Sequence, residues 1–163
     1  MRLYNIKDKY IEFLKQYDKN VADNKKEKRP YVGIVLTIKD INYYAPLSSP
    51  KNKHLRMKNT MDFRKIDNGN LGSINLNNMI PVAKEALIEI DIANIEDARY
   101  KRLLQNQYRY IKRDLPQIQT SAEKLYKVIH TADAELNDNL LKIKHRCCNL
   151  PLLETIVKKY NNT

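Results

Sequence analysis

Apolar and polar positions follow two periods along this chain, and the change falls near Ile95. Before it, short runs rich in β-branched and aromatic residues predict strands over residues 3–6, 31–38, 41–44 running on to about Leu47, 71–76, 79–82 and 86–92. Lys39-Asp40 separates the second and third as a turn, so these two form a hairpin, and Asp67-Asn68-Gly69-Asn70 is a second turn signal. Residues 7–18 place Tyr10, Phe13, Leu14 and Tyr17 at helical spacing, which predicts an amphipathic helix. Residues 19–28 lack an apolar period and read as a solvated, mobile connection.

Beyond Ile95, Tyr100, Leu103, Leu104, Gln107, Tyr108 and Ile111 recur at three- and four-residue steps, and Pro116 is expected to end or restart that helix. A further helix is predicted from about Thr120, capped by Ser121, with Leu125, Val128 and Ile129 facing inward. Residues 137–148 give no decisive period, and residues 152–160 predict a terminal helix opened by Pro151. Six or seven antiparallel segments without long intervening helices argue against a parallel βαβ sheet. The expected class is α+β, with a strongly twisted, partly barrelled antiparallel sheet and flanking and C-terminal helices in one domain spanning residues 1–163.

Charge sharpens this picture. Thirty Lys and Arg against 19 Asp and Glu give a formal charge of +11, which attracts polyanions, nucleic acid first among them. No apolar run approaches the ~20 residues that cross a bilayer, and the N-terminus begins a strand pattern, so a cytoplasmic chain with no membrane contact is expected. Adjacent Cys147 and Cys148 suit neither a disulfide framework nor a zinc site and read as small buried residues at a helix junction. There is no glycine-rich phosphate loop, nucleophile elbow, HExxH or paired-cysteine motif, so no cofactor and no metal is called for.

The candidate chemistry lies where the hairpin's second strand breaks, at Tyr43-Tyr44-Ala45-Pro46-Leu47-Ser48-Ser49-Pro50-Lys51. Pro50 lacks an N–H and restricts Ser49, which leaves two hydroxyls on a constrained loop beside a lysine. Lys53, His54, Arg56 and Lys58 follow, the densest positive stretch in the chain. Arg29, directly before Pro30 and the central strand, can be packed beside the serines; it can clamp a phosphate but not act as a base. His54 has an intrinsic pKa suited to acid–base work, and its alternative is an exposed loop histidine; His130 and His145 read as structural. On the helix after residue 95, Arg109, Lys112 and Arg113 form either a solvated face or an RNA-contacting ridge, with Tyr100, Tyr108 and Tyr110 available to stack on bases.

The order of a Tyr4-bearing first strand, Gly33-Ile34-Val35-Leu36, Ala45-Pro46-Leu47-Ser48-Ser49-Pro50-Lys51 and Gly72-Ser73-Ile74-Asn75-Leu76-Asn77-Asn78-Met79-Ile80-Pro81 resembles the ToxN/AbiQ family of type III toxin endoribonucleases over nearly the whole chain. The resemblance implies RNA cleavage with Ser49, Ser48, Lys51 and Arg29 at the site. Arg29 stands where the family usually has lysine. It also implies an RNA-contacting role for Tyr10, whose spacing alone favours a core aromatic. The implied partners are a pseudoknotted antitoxin RNA cut from a tandem-repeat precursor, and cellular or phage RNA substrates. A closed ring of alternating protein and RNA, three of each, is implied as well.

Metal-free RNA cleavage fits these residues, because the ribose 2′-hydroxyl is itself the nucleophile. The protein need only help remove its proton, protonate the departing 5′ oxygen and stabilise charge on the phosphorus. Lys53, Arg56 and Lys58 are the expected RNA contacts beside the loop. A non-catalytic basic RNA-binding module would account for the charge and tyrosines but not the Ser-Pro-Lys loop, and a DNA-binding regulator would account for the charge alone.

Overall fold

In the computed structural model, which describes residues 1–160, one long hairpin organises the sheet. Its strands β2 (Tyr31–Ile38) and β3 (Ile41–Ser48) pair antiparallel from Ile38↔Ile41 to Tyr31↔Pro46, with a register shift between Gly33 and Leu36. Lys39 and Asp40 turn the chain with φ of 47° and 66°, the left-handed pair that matches strand twist in a two-residue hairpin. β1 (Arg2–Ile6) joins the free edge of β2, and β7 (Leu87–Glu89) joins β1. On the other edge, β3 pairs with β6 (Ile80–Pro81) at Tyr43–Tyr44 and with β5 (Ser73–Asn75) at Leu47–Ser48. β4 (Phe63–Lys65) completes the order β4-β5-β3-β2-β1-β7, with β6 off this path. The seven-stranded antiparallel sheet is not closed: β4 and β7 are its edges. The predicted strand over 86–92 is shorter than its alternation suggested, because the chain leaves the sheet after Glu89 and turns over Ile92–Asn94.

Helices cover the sheet. α1 (Asp8–Lys15) buries Tyr10, Ile11 and Leu14. α3 (Ala98–Ile129) is capped by Asp97, whose carboxylate accepts the Tyr100 N–H at 2.9 Å, and it buries Leu104, Gln107, Ile111, Ile118, Ala122 and Leu125 along one face. It is one helix, contrary to the expected break at Pro116. Pro116 sits on the exposed face, so the carbonyl it leaves unpaired reaches water while the buried residues on either side keep the axis continuous. Ser121 therefore lies inside the helix and is not a cap. Two helices were not predicted: α2 (Asn52–Arg56) and α4 (Asp138–Arg146), the latter capped by Asn137 accepting from the Leu140 N–H. α5 (Leu150–Tyr160) has Pro151 in its first turn and buries Leu150, Leu153, Ile156 and Val157. Cys147 and Cys148 are buried between α4 and α5, as their sequence suggested. Among the described residues, no helix is long and apolar enough to cross a membrane.

Residues 19–28 are not a loose connection. Lys25, Lys26 and Glu27 all take positive φ of 51–59°, a left-handed turn that costs about 1–2 kcal/mol per residue. Hydrogen bonds offset that cost. Buried Asn24 donates to the Ile6 carbonyl at 2.7 Å and to the Asp8 carboxylate at 2.6 Å. Asp8 also accepts the Glu27 N–H at 3.0 Å, while the Glu27 carboxylate accepts the Asp8 N–H at 2.8 Å. The turn thereby presents Arg29 to the start of β2.

Candidate active site

β3 is buried from Tyr43 to Leu47, so its exit is held by packing on both faces, and the pairing Ser48↔Ser73 fixes where the loop begins. Two glycines then bring the β4–β5 turn against that loop. Gly72, at φ +94°, lies so close that a Cβ there would stand 1.9 Å from the Ser48 carbonyl oxygen; at Gly69, φ +99°, a Cβ would stand 2.7 Å from the His54 carbonyl oxygen. Gln107 of α3, only 2% exposed, donates its Nε2 to the Leu71 carbonyl at 2.8 Å and so anchors the residue before Gly72.

Ser48 is half-buried, and its Oγ accepts a hydrogen bond from Asn75 Nδ2 at 2.7 Å. Ser73 Oγ donates to Asn75 Oδ1 at 3.3 Å, which orients the amide as donor toward Ser48. With a lone pair occupied, the Ser48 hydroxyl is set to donate its own proton outward. Ser49 is exposed and makes no hydrogen bond among the described side chains.

An open cleft of about 620 Å³ runs from Ser48 past Lys51, Lys53 and Lys58 to Arg146. At its base Arg146 forks onto Asp62, with Nε and Nη2 at 2.6 and 2.7 Å from the two carboxylate oxygens, and Thr60 donates to the same group at 3.0 Å. Burial works to raise the Asp62 pKa, but these donors outweigh it and hold the carboxyl below its ordinary value. The pair leaves half of the Arg146 side chain exposed to the cleft. On the other side of the loop, Arg29 Nη1 reaches the Leu47 carbonyl at 3.4 Å while its Nε donates to the Asp23 carbonyl at 2.5 Å. Arg29, Lys25 and Lys28 share a small cavity there with Ser48 and Ser49. The two serines thus stand between cations on both sides.

His54 is corrected from a loop residue to a buried one. It lies on α2 at 2% exposure, lines the cleft, and its Nδ1 has no hydrogen-bond partner. Burial, reinforced by Lys53 and Lys51, lowers its pKa from the ordinary histidine value. The folded chain therefore protonates His54 less readily than the unfolded chain, which takes up a proton below about pH 6.5. Because the unfolded state binds more protons in that window, stability is present above it and falls as pH drops through it. His54→Leu, with nothing to protonate, is expected to show a flatter stability curve just below about pH 6.5 in denaturant titrations; slopes equal to wild type would mean that His54 does not titrate there.

Other sequence-selected residues separate. Tyr10 is corrected from an RNA contact to a core residue: it is 0% exposed, its hydroxyl donates to the Pro81 carbonyl at 2.7 Å, and its ring packs edge-on against Tyr160 at 4.8 Å, so no base can reach it. Arg56 is exposed on α2 outside the cleft lining. Arg109 and Lys112 are exposed on α3 and line neither the cleft nor the small cavity beside Arg29, while Arg113 lines a separate cleft with Tyr110. His130 contacts Glu154 at 3.0 Å and His145 contacts Asp133 at 3.4 Å, both as ties between elements. Sequence reasoning assigned no role to Asn75, Asp62 or Arg146. Asn75 was visible only as part of the Gly72-to-Pro81 motif, and Arg146 lies 84 positions from Asp62 with no local signal.

The chain matches the family model described as "Toxin ToxN, type III toxin-antitoxin system" over residues 2–158. It is 31% identical to Endoribonuclease ToxN of Bacillus thuringiensis subsp. kurstaki, over 98% of this chain and 84% of that protein. To Endoribonuclease ToxN of Pectobacterium atrosepticum it is 32% identical, over 90% and 92%. Among solved structures, a bacterial type III toxin–antitoxin system with selective toxin inhibition by a non-coding RNA pseudoknot superposes with a TM-score of 0.87 at 30% identity, covering 99% of this chain and 98% of that one.

Proposed function

The chain belongs to the ToxN family of type III toxin–antitoxin systems, and on that premise we propose that it is an endoribonuclease whose Ser48–Lys51 loop promotes attack of a ribose 2′-hydroxyl on the adjacent phosphate. The bond from phosphorus to the 5′ oxygen breaks as the bond to the 2′ oxygen forms. The products carry a 2′,3′-cyclic phosphate and a 5′-hydroxyl.

The observation that carries this reading is the Ser73–Asn75–Ser48 relay, which aims a hydroxyl from a rigid strand end into a cleft lined with cations. Ser48 and Ser49 donate to the phosphate oxygens, and these hydrogen bonds strengthen as charge builds on them. The Lys51 ammonium stabilises the crowded phosphorus or gives a proton to the leaving 5′ oxygen. Arg29 adds charge from the opposite side of the loop and exchanges no proton. Neutral His54 is the cleft residue able to accept the 2′-hydroxyl proton. Lys53, Lys58 and Arg146 hold the RNA backbone by charge.

An antitoxin RNA pseudoknot, cut by the toxin from a repeat-derived precursor, inhibits by filling the same basic cleft. Repeated protein–RNA contacts of one kind close into a ring, three of each, when the rotation between copies divides a full turn. Free toxin acts on cellular or phage RNA in the cytoplasm.

Neither the hydroxyls nor the cations need a metal ion to do this chemistry. Purified protein is therefore expected to cleave single-stranded RNA in excess EDTA and to leave 5′-hydroxyl ends that polynucleotide kinase labels without prior dephosphorylation. A requirement for added Mg²⁺, or 5′-phosphate ends, would overturn the mechanism.

A further inference from the structure

The cleft between α3 and the turn after β4 lies apart from the Ser48–Lys51 loop and has the makings of a second site. We propose that it binds one unpaired nucleotide of an RNA strand whose neighbouring phosphodiester lies at that loop, an inference that rests on the ribonuclease reading above. Its volume of about 420 Å³ falls within the ~300–1,000 Å³ of small-ligand sites.

Four isoleucines, Ile66, Ile74, Ile111 and Ile118, contribute to its lining, all from the buried core. They close the cleft from behind, and what it exposes to a ligand is mostly polar. Tyr110 stands at the side with the Arg113 guanidinium 4.6 Å from its ring centroid. An aromatic ring and a planar cation together make a stacking platform for an unpaired base. Hydrogen-bonding groups complete the lining. Asn59 Oδ1 is engaged by the Lys65 N–H at 2.7 Å, which fixes the amide and leaves its Nδ2 to donate to a base edge.

The cations divide in a way that favours one nucleotide pose. Arg64 is taken up by Asp114 at 2.5 Å and by Gln117, so it braces the wall. Among the described residues, Lys65 and Arg113 make no ion pair, and they are left to meet a phosphate. An aromatic ring beside cations outside any ion pair suits a nucleotide, whose base meets the ring and whose phosphate meets the charge.

Continuity with the active cleft argues for a strand of RNA instead of a free nucleotide. Thr60, Asp62 and Phe63 line the active cleft, while the following residues Arg64 and Lys65, with Asn59, line this one. The shared wall is two or three strand residues wide, about 7–10 Å. Adjacent nucleotides of one strand can therefore occupy both clefts.

Steady-state cleavage of a single-stranded RNA substrate tests this with the full chain. Arg113→Ala and Tyr110→Ala are expected to raise KM by roughly tenfold with kcat within about twofold, the loss typical of one stacking platform. Tyr110→Phe, which keeps the ring, should return KM to near its starting value. Lys124→Ala removes the same charge from an exposed position of α3 that lines neither cleft, and its KM should move far less. Arg113 is exposed, so its variant folds even if Tyr110→Ala does not. An unchanged KM for Arg113→Ala in an enzyme that otherwise cleaves RNA would overturn the second site and leave the ribonuclease reading standing. An equal rise for Lys124→Ala would also overturn it, by reducing the effect to general charge. A wild-type chain that cleaves no RNA would bring down both.

Discussion

Ser49→Ala is expected to lose on the order of a hundredfold or more in RNA cleavage rate while the protein stays folded and still binds RNA. The two effects separate because the Ser49 hydroxyl is exposed and holds nothing else in place. Substitutions at such positions usually change stability by no more than ~0.5 kcal/mol. Its contribution lies in the transition state, where the phosphate oxygens gain charge and a donor already in position strengthens its bond to them. Ser48→Ala makes a useful contrast. It strips the acceptor from Asn75 Nδ2, so it is expected to cost stability as well as rate. Rate constants from single-turnover cleavage, beside melting curves and RNA affinity, distinguish these outcomes. A Ser49→Ala protein that cleaves near the wild-type rate would remove the loop from the mechanism.

Gly72→Ala is expected to damage the same loop from behind. The residue sits at φ +94°, and an added Cβ would stand 1.9 Å from the Ser48 carbonyl oxygen and 3.1 Å from the Ser49 carbonyl carbon. Those neighbours are backbone atoms of a paired strand end and cannot swing aside as a flexible side chain would. Left-handed strain alone costs about 1–2 kcal/mol, and displacement of the Ser48↔Ser73 pairing adds to it. A total near 2 kcal/mol or more would lower the melting temperature by about 4–8 °C in a chain of this size. Cleavage should fall at temperatures where the variant is still folded, because Ser48 and Ser49 are no longer held on the line set by Asn75. Retained stability with full activity would mean that the close approach between Gly72 and Ser48 is not a constraint on the loop.

What the sequence showed of this molecule divides by range. The β2–β3 hairpin was legible because its strands are neighbours in the chain and Lys39-Asp40 separates them. The helical period of residues 100–111 was legible for the same local reason. Pro116 misled because the cost of a helical proline depends on whether the freed carbonyl meets water, which only the packing decides. The left-handed turn at Lys25–Glu27 was hidden because its stabilising partner, Asp8, lies 19 residues from Glu27.

The site shows the same division. Ser48, Ser49 and Lys51 were found as a local pattern, and the structure gathers Ser48 and Lys51 with Lys53, His54 and Lys58 in one cleft. His54 looked exposed because it stands among lysines, yet the turn around Gly69 packs over α2 and buries it. Tyr10 carried the spacing of a helix face and faced inward. Asp62 and Arg146 lie 84 positions apart in the chain and meet only once α4 has docked.

The central claim is that the RNA supplies its own nucleophile and this loop assists it. The most direct test is cleavage of an RNA carrying a single 2′-deoxy substitution on the ribose just before the mapped cut, compared with the all-ribose strand under single-turnover conditions. The 2′-hydroxyl mechanism predicts that cleavage at that position disappears while binding of the strand persists. Cleavage of the deoxy-substituted strand at an undiminished rate would contradict it.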